Sequence, residues 1–317
     1  MPFETDYVLI IGSSNMDLNI YLERLPKQGE TVTGGIFKQF LGGKGANQAV
    51  ASVRSGAKTV FIGKIGEDAF GDQMLSRFSS EGIDTSHIIR DPDAASGVAL
   101  IMIDSNGENK IGVAPGANFK LSPEEINEKS DLIEGAAVIV VQMEIPIETI
   151  NIIFQIASEG NAIKILNPAP LKPIPLDTLK EIEIIVPTEG ELLRLHSMLE
   201  LKELEGLEKN NIKQASKDLA TFGIKTIITT LGSKGSLIYY GNEEKFEEVP
   251  AYKVQAIDTV GAGDCFNGCL ASALCNGMSL SKAVQFATAA ASIAVTRKGA
   301  QESMPYLDEI NNKLNAS

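Results

Sequence analysis

Tryptophan is absent from the 317 residues, histidine occurs twice and cysteine three times, and aromatic residues make up only 6%. So few thiols and imidazoles leave little material for a zinc centre. Cys265 and Cys269 stand four apart and share a face of a predicted helix, but no other Cys or His lies nearby to complete four ligands. With Cys275 they form an odd set crowded into one helix, which reads as buried free thiols in a reducing cytoplasm. His87 and His196 read as structural or surface residues. No stretch approaches the ~20 apolar residues of a membrane span. The acidic opening Met1–Asp6 has no basic segment of a secretory leader. Positive charge is also scarce: 28 Lys and Arg face 41 Asp and Glu, a net charge of −13. That balance argues against a general nucleic-acid surface or an anionic membrane as partner. A polyanionic ligand would need a local site of backbone amides or a few cations.

What is present is a globular composition, 44% apolar and 22% charged, with 29 glycines that cluster rather than scatter. Short β-branched runs recur at 7–11, 59–62, 137–141, 163–166, 182–186 and 226–229, several of them near-continuously apolar, as strands covered on both faces are. Helical stretches fall between them at 47–55, 68–81, 122–133 and 214–222, the second ending at Gly82, the third opening with a Ser-Pro-Glu-Glu capping pattern and the last ending at Gly223. The alternation predicts an α/β fold: an open, mostly parallel sheet covered by helices on both faces. Two places break it. Residues 17–22 with 30–41, and 97–104 with 109–113, alternate polar and apolar, and Ser105-Asn106-Gly107-Glu108 is a hairpin turn signal. They predict a small separate sheet acting as a lid, drawn from about 15–41 and 97–114 within a single domain spanning 1–317. The charged run 200–211 reads as a solvated excursion.

Three glycine-rich segments carry chemistry. Asp258-Thr259-Val260-Gly261-Ala262-Gly263-Asp264 leads into a buried helix over 264–276. A glycine turn entering a helix presents free N–H groups that bind phosphate oxygens; a tight turn with Asp264 as N-cap is the alternative. Gly42-Gly43-Lys44-Gly45-Ala46-Asn47 also opens a helix, either as a loop where Lys44 and Asn47 donate to a small polyol or as a turn bearing a surface lysine. Gly12-Ser13-Ser14-Asn15-Met16-Asp17 follows the first strand, where Asn15 and Asp17 suit a ligand or simply an Asx turn.

Two common phosphate motifs are excluded. Lys44 and Lys234 are each followed by Gly rather than Ser or Thr, and position 266, where a dinucleotide fingerprint needs glycine, is Phe. Yet polar or glycine-rich residues recur after successive strands: Glu144, Asn167-Pro168, Thr188-Glu189-Gly190-Glu191, and Thr230 to Gly235. That recurrence exceeds what turn chemistry alone accounts for.

These segments resemble the ribokinase (PfkB) carbohydrate kinase family over nearly the whole chain. The likeness is carried by GSSNMD at 12–17, GGKGAN at 42–47, LNPAP at 166–170, TTLGSKG at 229–235, DTVGAGD at 258–264 and AVTRKGAQESMP at 294–305. The resemblance implies ATP-dependent phosphorylation of D-ribose at O5, with deoxyribose, another pentose or a nucleoside as the neighbouring acceptors. A catalytically silent sugar-binding member is the reading from another class. It implies that Asp264 is the base and that the amides of Gly261, Ala262, Gly263 and Asp264 form an anion hole. Asn15, Asp17, Gly43, Lys44, Asn47 and Glu144 match its sugar-binding positions, and Thr230, Gly232, Gly235 and Gly263 its ATP-binding ones, with Thr288 at a variable adenine contact. A monovalent cation, normally K⁺, is implied at Asp258 and Ser303 with the carbonyls of Val260, Ala294, Arg297 and Gly299. Mg²⁺ is implied to travel with ATP, and a homodimer is implied through the lid. One position departs: the family's Asn-x-x-Glu reads Thr188-x-x-Glu191 here, which loses the amide's reach toward Mg²⁺ and phosphate.

Overall fold

The computed structural model describes residues 6–201, 204 and 206–316; residues 1–5 of the acidic opening and three positions of the charged 200–211 run lie outside them. In chain order the strands are β1 (Val8–Ile11), β2 (Asn15–Tyr21), β3 (Ile36–Gly42), β4 (Thr59–Ile62), β5 (Lys64–Gly66), β6 (Ile89–Asp91) and β7 (Gly97–Ile103). There follow β8 (Asn109–Ala114), β9 (Val138–Gln142), β10 (Ile163–Asn167), β11 (Ile184–Ile185), β12 (Thr226–Thr230), β13 (Ser236–Tyr240) and β14 (Lys245–Val249). The main sheet runs β14-β13-β12-β11-β10-β9-β1-β4. It is parallel from β4 to β12 and antiparallel at β12–β13 and β13–β14.

Alternation along β1 explains the two-sided cover. Val8 and Ile10 point into one apolar layer, under the helices Lys44–Arg54, Ala262–Cys275 and Leu280–Ala294, whereas Leu9 and Ile11 point into the other, under Ile147–Ala157 and Lys209–Ala220. The chain leaves β1 toward β4 on one side and reaches β9 on the other, so the β1–β9 pair is where strand order reverses. Crevices outside the carboxyl ends of strands form at such a point, and the residues there are Gly12 to Asn15 after β1 and Met143-Glu144 after β9.

The second sheet is β3-β2-β7-β8, with β2 parallel to β7 and the outer pairs antiparallel. It is the small separate sheet expected from the sequence, although its second strand starts at Ile36 rather than residue 30. Other boundaries also moved. The stretch 122–133 forms two short helices, Pro123–Asn127 under a Ser122 capping box and Ser130–Glu134, not one. The helix expected at 214–222 begins at Lys209, so the charged run ends in ordered structure. The antiparallel hairpin β13–β14 was not read from the sequence.

Two helices meet closely beneath the crevice. A Cβ on Gly268 would lie 2.3 Å from the Gln48 carbonyl, so only glycine lets the helix Ala262–Cys275 approach the helix Lys44–Arg54 this nearly. Gly268 is one turn beyond Asp264, on the same face. The contact therefore aims Asp264 at the first turn of the other helix.

Candidate active site

Asp264 stands at the third position of its helix, whose N-cap is Gly261 in the left-handed conformation (φ 73°). It does not cap its own helix. Its carboxylate accepts hydrogen bonds from Asn47 Nδ2 (2.9 Å) and Gln48 Nε2 (3.0 Å) on the neighbouring helix. The side chain is only 7% exposed. Burial pushes the Asp264 carboxyl above its usual range, while Lys44 and the Asn47 and Gln48 donors pull the other way. A buried carboxyl oriented by two amide donors is suited to accept a proton from a hydroxyl brought up to it. Cys265 N–H donates to the Gly261 carbonyl at 2.8 Å, leaving the amides of Gly263 and Asp264 without an acceptor inside the helix. Ala262 differs from its expected role: its N–H donates to the Thr259 carbonyl at 3.2 Å, so the amides of the turn left open are those of Gly261, Gly263 and Asp264.

The polar wall beside this turn is built by three strand ends. Glu144, after β9, accepts from Ser13 Oγ (2.5 Å) and from the Lys44 backbone N–H (3.0 Å), tying the β1 loop to the Gly43–Lys44 turn. Asn15 opens β2, and its Oδ1 accepts from Asn118 Nδ2 at 2.8 Å; the Asn118 Oδ1 in turn accepts from Ser14 N–H at 2.9 Å. Asp17 lies two residues on, so it shares Asn15's face of the second sheet, and a Cβ on Gly42 would lie 2.3 Å from its carboxylate. Burial first, then Glu144, Glu302 and Asp264, push the Asp17 carboxyl up to about 7, with Lys44 opposing. The Lys44 ammonium is held above its ordinary value chiefly by Asp264, against its own burial, with help from Glu144, Glu191 and Asp17. A cavity of about 320 Å³ is lined by Asn15, Asn118, Phe119, Glu144, Pro170 and Lys172 among others. Asn15 and Glu144 line this cavity, while Asp17, Lys44 and Asp264 lie close enough to Glu144 and to one another to interact electrostatically, with Asn47 bonded to Asp264 and Gly43 preceding Lys44 in the turn.

Thr230 closes β12 next to Thr188, and the loop beyond it turns through Gly232 (φ 57°) and Gly235 (φ 100°). Thr188 is the N-cap of the helix Glu189–Met198: its hydroxyl accepts from Glu191 N–H (3.3 Å), and Glu191 Oε2 accepts from Thr188 N–H (2.9 Å). The departure at position 188 is therefore spent on a capping box. Thr288 is buried on the helix Leu280–Ala294 and donates to the Val284 carbonyl, so its hydroxyl is satisfied within its own helix.

Asp258 draws two loops together, accepting from Val260 N–H (3.0 Å) and Gly299 N–H (3.0 Å). Gly261 packs against Ala300, whose carbonyl accepts from the buried Ser303 hydroxyl at 2.7 Å. The Ala294 carbonyl already accepts from Arg297 N–H at 3.0 Å, but a carbonyl keeps a second lone pair. The atoms that the resemblance assigns to a cation here are all oxygens, a donor class that fits a hard ion. No three His, Cys, Asp or Glu side chains gather into a metal site among the described residues.

Sequence reasoning missed the amides that orient Asp264. Gln48 Nε2 also donates to Asn167 Oδ1 (3.1 Å), and Gln142 Nε2 donates to Gln48 Oε1 (2.7 Å), a buried relay running from β9 and β10 to the carboxylate. The available signal was Gln142 ending the apolar run of β9. The three cysteines are free, Cys265 and Cys269 buried, and buried His196 bonds Asp218 Oδ2 at 2.8 Å.

The family model described as pfkB family carbohydrate kinase matches residues 5–307. A ribokinase of Staphylococcus aureus (strain COL) is 41% identical over 97% of this chain and 99% of its own. A deoxyribokinase of Salmonella typhimurium is 35% identical over 97% of this chain and 98% of its own. The solved structure of Arabidopsis thaliana ribokinase complexed with ribose and ATP superposes with a TM-score of 0.91 at 32% identity, covering 98% of this chain and 99% of that one. With the family match over residues 5–307, sequence identity along nearly the whole chain and the same fold, the chain belongs to the pfkB family of carbohydrate kinases.

Proposed function

We propose that the protein transfers the γ-phosphoryl group of ATP to O5 of D-ribose, giving D-ribose 5-phosphate and ADP. The observation that carries this reading is the Asp264 carboxylate, held by Asn47 and Gln48 at the same helix entrance that offers the open amides of Gly263 and Asp264. The O5–H proton passes to Asp264 as the O5–P bond forms and the bond to the ADP oxygen breaks. Charge on the transferred group falls on the Gly261–Asp264 turn, and little else is asked of the protein in a loose transition state. Its raised pKa makes Asp264 a stronger base than an ordinary carboxylate. Asn15, Asp17, Gly43, Lys44, Asn47 and Glu144 hold the sugar, and hydrogen bonds to several hydroxyls penalise sugars that lack one. Thr230, Gly232, Gly235 and Gly263 hold the nucleotide, with Thr288 toward the adenine. Glu191 would stand near the Mg²⁺ that ATP brings. Asp258, Ser303 and the carbonyls of Val260, Ala294, Arg297 and Gly299 would hold K⁺, which would supply positive charge beside the amide turn.

The reading places the enzyme in the cytoplasm as one domain with a discontinuous lid, working as a homodimer. The lid supports the last point: Ile20, Phe37 and Leu100 share the face turned away from Asp17 and are 40%, 56% and 59% exposed. Phe37→Glu should shift the sedimentation profile to the monomer; an unchanged dimer contradicts lid pairing. Deoxyribose is the second reading, favoured by the deoxyribokinase relative at 35% identity. An ADP-release assay across ribose, deoxyribose, fructose and adenosine decides: kcat/KM highest on ribose is expected, and a higher value on deoxyribose overturns the ribose assignment.

A further inference from the structure

We infer that Phe119 and Lys172 form the wall that closes the sugar cleft at its end away from Asp264, and that this wall limits which acceptor sugars fit. The inference rests on the sugar-kinase reading above.

The Lys172 ammonium lies 4.3 Å over the centroid of the Phe119 ring, a contact with real attraction even at a partly solvated site. The two come from different parts of the chain. Phe119 is on the short turn Gly116–Lys120 that follows β8 of the lid, and Lys172 is in the loop after β10 of the main sheet. Their contact therefore joins the lid side to the body at the 320 Å³ cavity that Asn15 and Glu144 also line. The Phe119 position is fixed by its neighbour, because Asn118 is buried and bonded to both Ser14 and Asn15. Hydrogen bonds set the order of the residues. Asn47 and Gln48 hold Asp264, and Lys44, on the same helix, donates its backbone N–H to Glu144. Glu144 in turn lines the cavity with Phe119 and Lys172, whereas Asp264 is not part of that lining. A pentose with its reacting hydroxyl on Asp264 turns its far carbon toward the ring and the ammonium. A substituent on that carbon meets the wall.

The test compares wild type with Phe119→Ala, Lys172→Ala and the conservative Phe119→Tyr and Lys172→Arg, on ribose and on methyl β-D-ribofuranoside, whose extra methyl sits on the anomeric oxygen. Both alanine variants should raise the ribose KM about fivefold with kcat within about twofold, and raise the riboside-to-ribose ratio of kcat/KM about tenfold. The conservative variants should stay near wild type, and all melting temperatures should agree with wild type. Calorimetric Kd values for ribose should show the same fivefold loss. Ribose affinity and riboside discrimination unchanged in both alanine variants overturn the wall. A wild type that neither binds nor turns over ribose overturns the parent reading, and the wall with it.

Discussion

Replacing Asp17 by asparagine should make the protein more stable and a poorer sugar binder at once. The Asp17 carboxyl is raised from 3.8 to about 7, by burial first and then by Glu144, Glu302 and Asp264. The native state therefore holds this proton more tightly than the unfolded chain does. As pH rises from about 4 to about 7 the unfolded chain loses its proton first, so stability falls across that window, and the full cost is in place above about pH 7. A rise of about 3 units at 1.36 kcal/mol each sets a ceiling of about 4 kcal/mol. Asparagine carries no charge and removes the cost. The stability gain of Asp17→Asn over wild type, read by urea denaturation, should be near zero at pH 4 and reach about 2–4 kcal/mol at pH 8. Ribose affinity should fall roughly 10- to 100-fold, because a charged acceptor for sugar hydroxyls is worth about 1.5–3 kcal/mol. A gain that does not change with pH, or a variant less stable than wild type at pH 8, refutes the reasoning.

Gln48→Leu removes one of two donors to Asp264 and breaks the relay to Asn167 and Gln142. Its kcat should drop roughly tenfold or more, and the acid limb of the kcat–pH profile should move to higher pH, since a carboxylate losing a donor becomes easier to protonate. Thr188→Ala strips the capping box from the helix Glu189–Met198 and should cost about 1 kcal/mol in urea denaturation. Exchanging K⁺ for Na⁺ at fixed ionic strength should lower kcat; equal rates in both salts would remove the proposed cation set at Asp258 and Ser303.

The sequence showed the parallel core because its strands are buried on both faces and so spell continuous apolar runs. It did not show β14, whose Lys245–Val249 alternation carries charge and whose partner β13 directly follows the glycine loop. Thr188-Glu189-Gly190-Glu191 has the same capping-box spelling as Ser122 to Glu125. Only the latter was read as a cap, because the former sat at a strand end expected to touch phosphate. Asp264, Lys44 and Glu144 were legible because each ends a strand or opens a helix beside glycine. Gln48 was not, because an amide inside a helix has no pattern of its own. It becomes a partner of Asp264 only where Gly268 lets two helices, more than 200 residues apart in sequence, come together.

The most direct measurement is turnover and ribose binding by Asp264→Asn, which keeps the shape of the carboxylate while removing its capacity to take a proton. Ribose should still bind within a few-fold of wild type by calorimetry, while kcat falls by about a thousandfold or more, beyond what removing general base catalysis from an intact site costs at the low end. A kcat near that of the wild type would contradict the assignment of Asp264 as the base.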